Sequence, residues 1–173
     1  QSELHFYNLE GKSFAKSFQI EIDYQFSENI NFKSAYKNYD VKKQYNSGLK
    51  QNPLTPKNRF FFNLDFSTNL NDKGSNWKYD FTYNWVGKQR LPLHTSLSFL
   101  NGYSPSYSLI NTQLTRGFSK KLEIYIGGEN IGNYTQENPI LGSSNPYGLD
   151  FDSSIIYAPI HGSLVYLGLR FKL

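Results

Sequence analysis

The clearest pattern in the chain is a strict alternation of apolar and polar positions, and it is strongest at the end. In Ser163-Leu-Val-Tyr-Leu-Gly-Leu-Arg-Phe-Lys-Leu173, Val165, Leu167, Leu169, Phe171 and Leu173 share one side, and Tyr166, Gly168, Arg170 and Lys172 share the other. A period of two is the signature of a strand with one face buried or lipid-covered. The same period recurs upstream. Phe18, Ile20, Ile22, Tyr24 and Phe26 alternate with Gln19, Glu21, Asp23 and Gln25, and a turn at Ser27-Glu28-Asn29 leads to a second strand through Ile30, Phe32 and Tyr36 to about Asp40.

Residues 42–58 then read as a polar loop punctuated by Ser47-Gly48, Asn52-Pro53 and Thr55-Pro56. A third strand carries Phe60, Phe62, Leu64 and Phe66 and ends at Asn71-Asp72-Lys73-Gly74. The fourth sets Trp77, Tyr79, Phe81, Tyr83 and Trp85 against Lys78, Asp80, Thr82 and Asn84. Beyond a loop over 87–106, a fifth strand carries Ile110, Thr112, Leu114 and Phe118, turns at Ser119-Lys120-Lys121, and leads to a sixth over 122–131. The longest loop, 132–162, precedes the terminal strand.

The expected element list is therefore about seven antiparallel strands, with short turns after the first, third and fifth and long loops after the second, fourth and sixth. Short turns at one end of a sheet and long loops at the other are the asymmetry of a transmembrane β-barrel, with short periplasmic turns and longer extracellular loops. Trp77 and Trp85 stand eight steps apart, roughly 27 Å along a strand and roughly 20 Å in depth at a tilt near 40°, close to an apolar band flanked by aromatic girdles. A soluble β-sandwich with an aromatic core face shows the same local period, but nothing in it calls for the turn asymmetry.

Composition sharpens this picture. Aromatics make up 17% of the chain, with 14 Tyr and 14 Phe, while Met and Cys are absent. Rings and β-branched residues favour strands, and a chain without Cys has no disulfide framework or thiolate chemistry. Mean hydropathy is −0.58. With no apolar run near the ~20 residues of a transmembrane helix, a helical membrane protein is excluded and a barrel is not. The net charge of +4 is mild, although Lys42, Lys43, Lys50, Lys57 and Arg59 fall in segments that suit anionic ligands or lipid head groups.

A seven-stranded sheet has two free edges, costly in lipid, and an odd number departs from the even count of single-chain bacterial barrels. The chain starts at Gln1 without an initiator Met or a signal peptide, as a processed chain or a piece of a longer one does. The expected architecture is the C-terminal part of a larger barrel whose earlier strands lie elsewhere. Val165, Leu167, Leu169 and Phe171 would then face lipid, with Arg170 and Lys172 toward the lumen or the periplasmic rim.

Several runs resemble one family. Tyr125-Ile-Gly-Gly-Glu-Asn-Ile-Gly-Asn-Tyr134, Gln136-Glu-Asn-Pro-Ile140, Tyr157-Ala-Pro-Ile-His-Gly162 and Tyr166-Leu-Gly-Leu-Arg-Phe171 are similar to the C-terminus of TonB-dependent outer-membrane receptors of the Bacteroidetes type. So are Ser17-Phe-Gln-Ile-Glu21, Ala35-Tyr36 with Tyr39-Asp-Val41, and Trp85-Val-Gly-Lys-Gln-Arg-Leu-Pro92. The resemblance implies that residues 1–173 are the closing portion of a barrel of about 22 strands with a plugged lumen. It further implies a receptor that imports a bulky scarce nutrient such as a siderophore, corrinoid or oligosaccharide. Its partners would be the rest of the barrel and the plug, the TonB complex, outer-membrane lipids and a surface lipoprotein, with no nucleic acid and no cofactor. The location implied is the bacterial outer membrane with a periplasmic C-terminus. Tyr166, Gly168, Phe171 and Leu173 resemble the family's barrel-assembly signal, an alternating edge strand of the kind captured by β-augmentation. A passive porin or adhesin barrel, and a soluble lectin-like sandwich, are the alternatives.

Candidate chemistry is sparse. His5, His94 and His161 lack zinc spacing, and Asp150-Phe-Asp152 with His161 is the one acidic and imidazole grouping in a single loop. Ser96 and Ser98 near His94 form a weak hydrolase pattern, and no enzyme is expected. Ligand contacts are expected at the extracellular mouth from Tyr45, Arg90, His94, Tyr103, Tyr107, Tyr147 and Asp150.

Overall fold

The structure, a computed structural model, describes residues 11–92, 97 and 100–172. His5, His94, Ser96, Ser98 and Leu173 lie outside them. Among the described residues there is no α-helix, and eight strands form one antiparallel sheet: β1 (Phe14–Ser27), β2 (Ile30–Tyr45), β3 (Gly48–Gln51), β4 (Asn58–Ser67), β5 (Asn76–Val86), β6 (Tyr107–Gly117), β7 (Leu122–Glu129) and β8 (Leu164–Phe171). The order is β1-β2-β4-β5-β6-β7-β8, with β3 paired to the far end of β2. Every neighbour on the main path follows its predecessor along that path, so the sheet is a meander. It is open, with β1 and β8 as its edges.

Two expectations are corrected. The second strand does not end near Asp40 but runs to Tyr45, and the segment expected to be wholly loop contains β3. The register explains both. Pairing of β2 with β4 ends at Asn38 opposite Asn58, so the rest of β2 has no β4 partner and folds back on Gly48–Gln51 through a turn at Asn46-Ser47. Gly48 takes a φ of 101°, which a β-branched residue would resist. The polar composition of this hairpin hid it, because its period of two carries no apolar face.

The register places the apolar positions of all seven main strands on one side. Phe18, Ile20 and Tyr24 of β1 oppose Asn38, Tyr36 and Phe32 of β2, which oppose Asn58, Phe60 and Leu64 of β4. The row continues through Trp85 and Phe81 of β5, Ile110 and Leu114 of β6, Ile126 of β7 and Leu167 of β8. Exposure on this face is highest on the edge strands, 70% at Phe26 and 75% at Leu167, while Phe32, Phe60, Leu64, Phe81 and Tyr83 in the middle are half-buried. The opposite face carries Glu21, Asp23, Lys33, Asn63, Asp65, Lys78, Asp80, Gln113, Glu123 and Arg170.

Both ends of the apolar face are aromatic with polar handles. At the short-turn end the Arg116 guanidinium lies 4.8 Å from the centre of the Trp77 ring and 5.7 Å from that of Phe118. At the long-loop end Tyr36 Oη donates to Asn58 Oδ1 at 2.9 Å, and the Tyr83 and Ser108 hydroxyls pair at 2.8 Å. Rings with one wet end favour an apolar–polar boundary.

The buried apolar residues do not sit on the sheet. Leu91, Leu97, Leu141, Ile155, Tyr157 and Ala158 form a cluster made entirely from the loops at the long-loop end, flanked by Leu54, Leu100, Tyr107 and Tyr134. At the other end, turns over 28–29, 68–75 and 118–121 stay small. Asn71 organises the middle one, its Oδ1 accepting from the Lys73 and Ser75 amides.

β7 and β8 are joined on the polar face by a reciprocal fit. Tyr125 stands opposite Gly168 and Tyr166 opposite Gly127. Each ring lies over the facing glycine, so that a Cβ added to either glycine would overlap the ring. The two rings meet edge-on at 6.3 Å, and Tyr166 Oη reaches across β7 to donate to Gln113 Oε1 of β6 at 3.1 Å. An aromatic covering a strand glycine restores the packing that the glycine lacks. Gly168→Val should therefore destabilise the β7–β8 pair by about 1–3 kcal/mol through overpacking. Removing the ring with Tyr125→Ala should make the same glycine substitution cheaper, a coupling read from a double-mutant cycle of equilibrium unfolding. Additive effects would show that ring and glycine do not interact.

Candidate functional site at the long-loop end

The extension of β2 beyond its pairing with β4 and the described ends of the 87–106 loop line a cleft of about 500 Å³, with Asp40, Lys42, Leu49, Lys50, Gln51, Lys57, Arg90, Leu91, Gly102 and Tyr103 around it. The loop is folded back on itself. The Leu91 amide donates to the Gly102 carbonyl at 2.8 Å, the Ser104 amide donates to the Gln89 carbonyl at 2.8 Å, and Arg90 bridges to Tyr103 between them. Two bonds fasten this small hairpin to the β3 side. Arg90 Nη1 donates to the Gln51 carbonyl at 2.8 Å, and the Leu54 amide donates to the Arg90 carbonyl at 2.9 Å. The Arg90 guanidinium also lies 5.0 Å from the centre of the Tyr45 ring, a cation–π contact that fixes its direction.

Of the residues expected at the mouth, the fold thus brings Tyr45, Arg90 and Tyr103 together. Tyr103 lines the cleft with an exposed ring. Tyr107, at the start of β6, is stacked on Tyr134 at 5.1 Å with 8° between the planes, and packs against the buried loop cluster. It supports the rim rather than lining the cleft. Tyr147 and Asp150 belong to the 130–163 loop, with Tyr147 fully exposed at its tip beside the turn that the Gly148 amide closes onto the Asn145 carbonyl. Neither lines the cleft. Among the described residues Asp150, Asp152 and His161 do not form a group able to hold a metal.

The 130–163 loop is ordered by two buried amides. Gln136 Nε2 donates to the Ile155 carbonyl at 2.8 Å, while its Oε1 accepts from the Tyr157 amide at 2.8 Å and the Ala158 amide at 3.3 Å. Asn130 donates from Nδ2 to the Tyr134 carbonyl at 2.8 Å and accepts the Tyr134 amide on Oδ1 at 3.1 Å. Gln89 ties the two long loops together by donating to the Tyr157 carbonyl at 2.8 Å. Burial pushes the Tyr134 phenol upward, reinforced by Glu137, and burial together with Tyr134 and Glu137 does the same to Tyr157, so both rings stay neutral at neutral pH.

A second concavity, of about 420 Å³, lies on the polar face toward the short-turn end. Its floor is a charge network. Glu123 on β7 accepts from Lys78 Nζ at 2.7 Å and from Arg170 Nη1 at 2.9 Å, so one carboxylate reaches over β6 to β5 and also holds the neighbouring β8. Asp65 and Asp80 face each other across β4 and β5, and Asn63 donates to Asp80 at 3.0 Å. The assembly-signal residues Tyr166, Gly168 and Phe171 lie on β8, with Tyr166 lining this concavity.

Leu49 and Gln51 carry no site reading in the sequence, and Lys42 and Lys50 enter it only as basic loop residues suited to anionic ligands or lipid head groups; that they line one cleft depends on the β2–β3 register. The charge network on the polar face was equally hidden, although Lys78, Glu123 and Arg170 all stand at polar positions of alternating strands. Comparison with known proteins found no matching family model, no similar curated protein and no similar solved structure.

Gln136→Ala should strip partners from two buried backbone amides and a carbonyl and loosen the 130–163 loop by about 1–3 kcal/mol. The expected result is faster proteolytic cleavage within 130–163 and unchanged protection of β4 to β6. Unchanged cleavage would remove Gln136 from the organising role.

Proposed function

We propose that this chain is the closing wall section of a TonB-dependent receptor barrel in a bacterial outer membrane, importing a bulky scarce nutrient. The observation that carries the membrane part is the continuous apolar face. Seven strands carry it with no second layer of described residues over it, while the buried apolar groups gather in the loops. A sheet in lipid has this arrangement, apolar outward and polar toward a lumen, with aromatic residues at both boundaries. The aromatic, Arg-bearing ends of the face fit that boundary.

In this reading the short turns lie in the periplasm and the long-loop end outside the cell. The unpaired edges of β1 and β8 are completed by the remaining strands of the same barrel, since open edges do not persist in hydrocarbon. The charged inner face, with its Lys78–Glu123–Arg170 clamp, meets the aqueous lumen and the plug, and the loop cluster holds the ligand-facing rim. The receptor class, the TonB coupling and the nutrient classes of siderophore, corrinoid or oligosaccharide rest on the sequence resemblance.

The test uses the native bacterium. The full-length protein should remain in the outer-membrane fraction after alkaline carbonate washing, and its deletion should slow growth only when one such nutrient is limiting. Uptake should stop when the proton-motive force is collapsed. Release into buffer without detergent would overturn the membrane reading. Uptake that survives collapse would replace the receptor with a passive porin.

A further inference from the structure

We infer that Lys37 and Arg59 form an anion-binding site on the polar face at its long-loop end, which takes a carboxylate, phosphate or other oxyanion of the imported solute; the solute as the anion's source rests on the transport reading. The register sets the two cations directly opposite each other, Lys37 on β2 and Arg59 on β4, both on the polar face and both exposed. Like charges directly opposite across a strand pair destabilise it.

Nothing among the described residues offsets this pair. Of the other cations that the registers of the main path place on the same face, Lys33 is held by Asp23 at 3.2 Å, and Lys78 and Arg170 share Glu123. Among the described residues neither Lys37 nor Arg59 has a carboxylate within salt-bridge reach. Lys37 stands opposite Gln19, and Glu21, the next residue of β1 on this face, accepts from Gln19 instead. A conflict left standing between local preference and structure is characteristic of functional sites. An oxyanion seated between the two cations removes it.

The surroundings are shaped for an occupant. Lys37 and Arg59 line a concavity of about 290 Å³ with Tyr39, Leu54, Thr55 and Pro56, and a second of about 200 Å³ with Phe61 and Asn84 among its walls. The 52–57 segment that walls the first is fastened on both sides. The Tyr39 amide donates to the Lys57 carbonyl at 2.7 Å, Asn52 Nδ2 donates to Thr55 Oγ1 at 2.8 Å, and the Leu54 amide donates to the Arg90 carbonyl at 2.9 Å. Lys37 Nζ lies 5.3 Å from the centre of the Tyr39 ring, a cation–π contact that directs the ammonium without neutralising it. A guanidinium can meet two oxygens of an oxyanion side by side, and the ammonium adds a point charge from the neighbouring strand. Tyr39 follows Lys37 toward the loops and Phe61 follows Arg59 toward the middle of the sheet, so the carbon frame that carries the anion meets apolar surface on both sides. Within the receptor reading, this chemistry selects an anionic solute over a neutral oligosaccharide.

The test labels the full-length protein, purified in a nonionic detergent, with pyridoxal 5′-phosphate followed by borohydride reduction. In parallel it uses 5-deoxypyridoxal, which carries the same aldehyde without the phosphate. With the phosphate on Arg59 the aldehyde reaches the Lys37 amine. Peptide mapping should therefore find Lys37, relative to the exposed Lys73, modified at least about tenfold faster by the phosphorylated reagent. R59Q should abolish that preference without lowering the Tm, since the opposed like charge is gone. Equal modification of Lys37 by both reagents, or a preference that survives R59Q, would overturn the site. A Tm lowered by R59Q would make the pair a structural contact with the rest of the chain and overturn it as well. In the native bacterium, K37Q/R59Q should slow uptake of the nutrient on which the deletion strain fails, and K37R/R59K should retain it. A nutrient that is neutral at pH 7, or uptake unchanged in K37Q/R59Q, would overturn the anionic solute as occupant. Labelling is read whether or not the protein imports anything, so failure of the site and failure of the transport reading are separate results.

Discussion

An apolar face that spans seven strands and stays uncovered is the constraint on which the rest of this structure depends. Rows of Phe, Ile, Leu and Trp at this extent mark an interaction surface. Two ways exist to remove it from water, a second layer of protein or lipid. The described apolar groups of the long loops form no such layer. They instead bury one another at the end of the sheet, in the cluster around Leu91, Leu141 and Ile155.

The opposite face follows from the same constraint. The polar side satisfies its own charges through ties that cross strands rather than through packing. Glu123 joins β5 and β8 through Lys78 and Arg170, and Tyr166 reaches from β8 to Gln113 on β6. The Tyr–Gly fit between β7 and β8 gives this thin, unlayered region a contact that depends on shape. A single sheet without a core is held by its ladder and by these lateral ties.

Alternation made the main strands legible. In β5, Trp77 to Trp85 specified the strand, its face and nearly its ends, because every second residue is aromatic and every intervening one polar. The terminal strand was equally plain from Val165 to Phe171. What alternation does not encode is register. The β2–β3 hairpin, polar on both faces, leaves no periodic trace at Gly48–Gln51, and with it goes the cleft that its residues line with Arg90 and Tyr103. Tyr45, Arg90 and Tyr103 stand out in the sequence as loop aromatics and cations, and the fold brings those three together. Tyr107 stands out on the same grounds but serves as a packing residue, because its neighbour Tyr134 lies 27 positions away in sequence. Buried amides such as Gln136 gave no signal, since a Gln in a loop looks the same whether it is solvated or holds a turn together.

Whether the apolar face of β5 meets lipid can be asked residue by residue: this chain has no Cys, and any Cys elsewhere in the full-length protein is replaced first. Single cysteines placed at 80, 81, 82 and 83 in the full-length protein would be exposed to a water-soluble thiol reagent in isolated outer membranes. The account predicts an alternation, with Asp80→Cys and Thr82→Cys labelled and Phe81→Cys and Tyr83→Cys protected until detergent dissolves the bilayer. Equal labelling at all four positions, or protection of 81 and 83 that persists in detergent, would contradict a lipid-facing sheet.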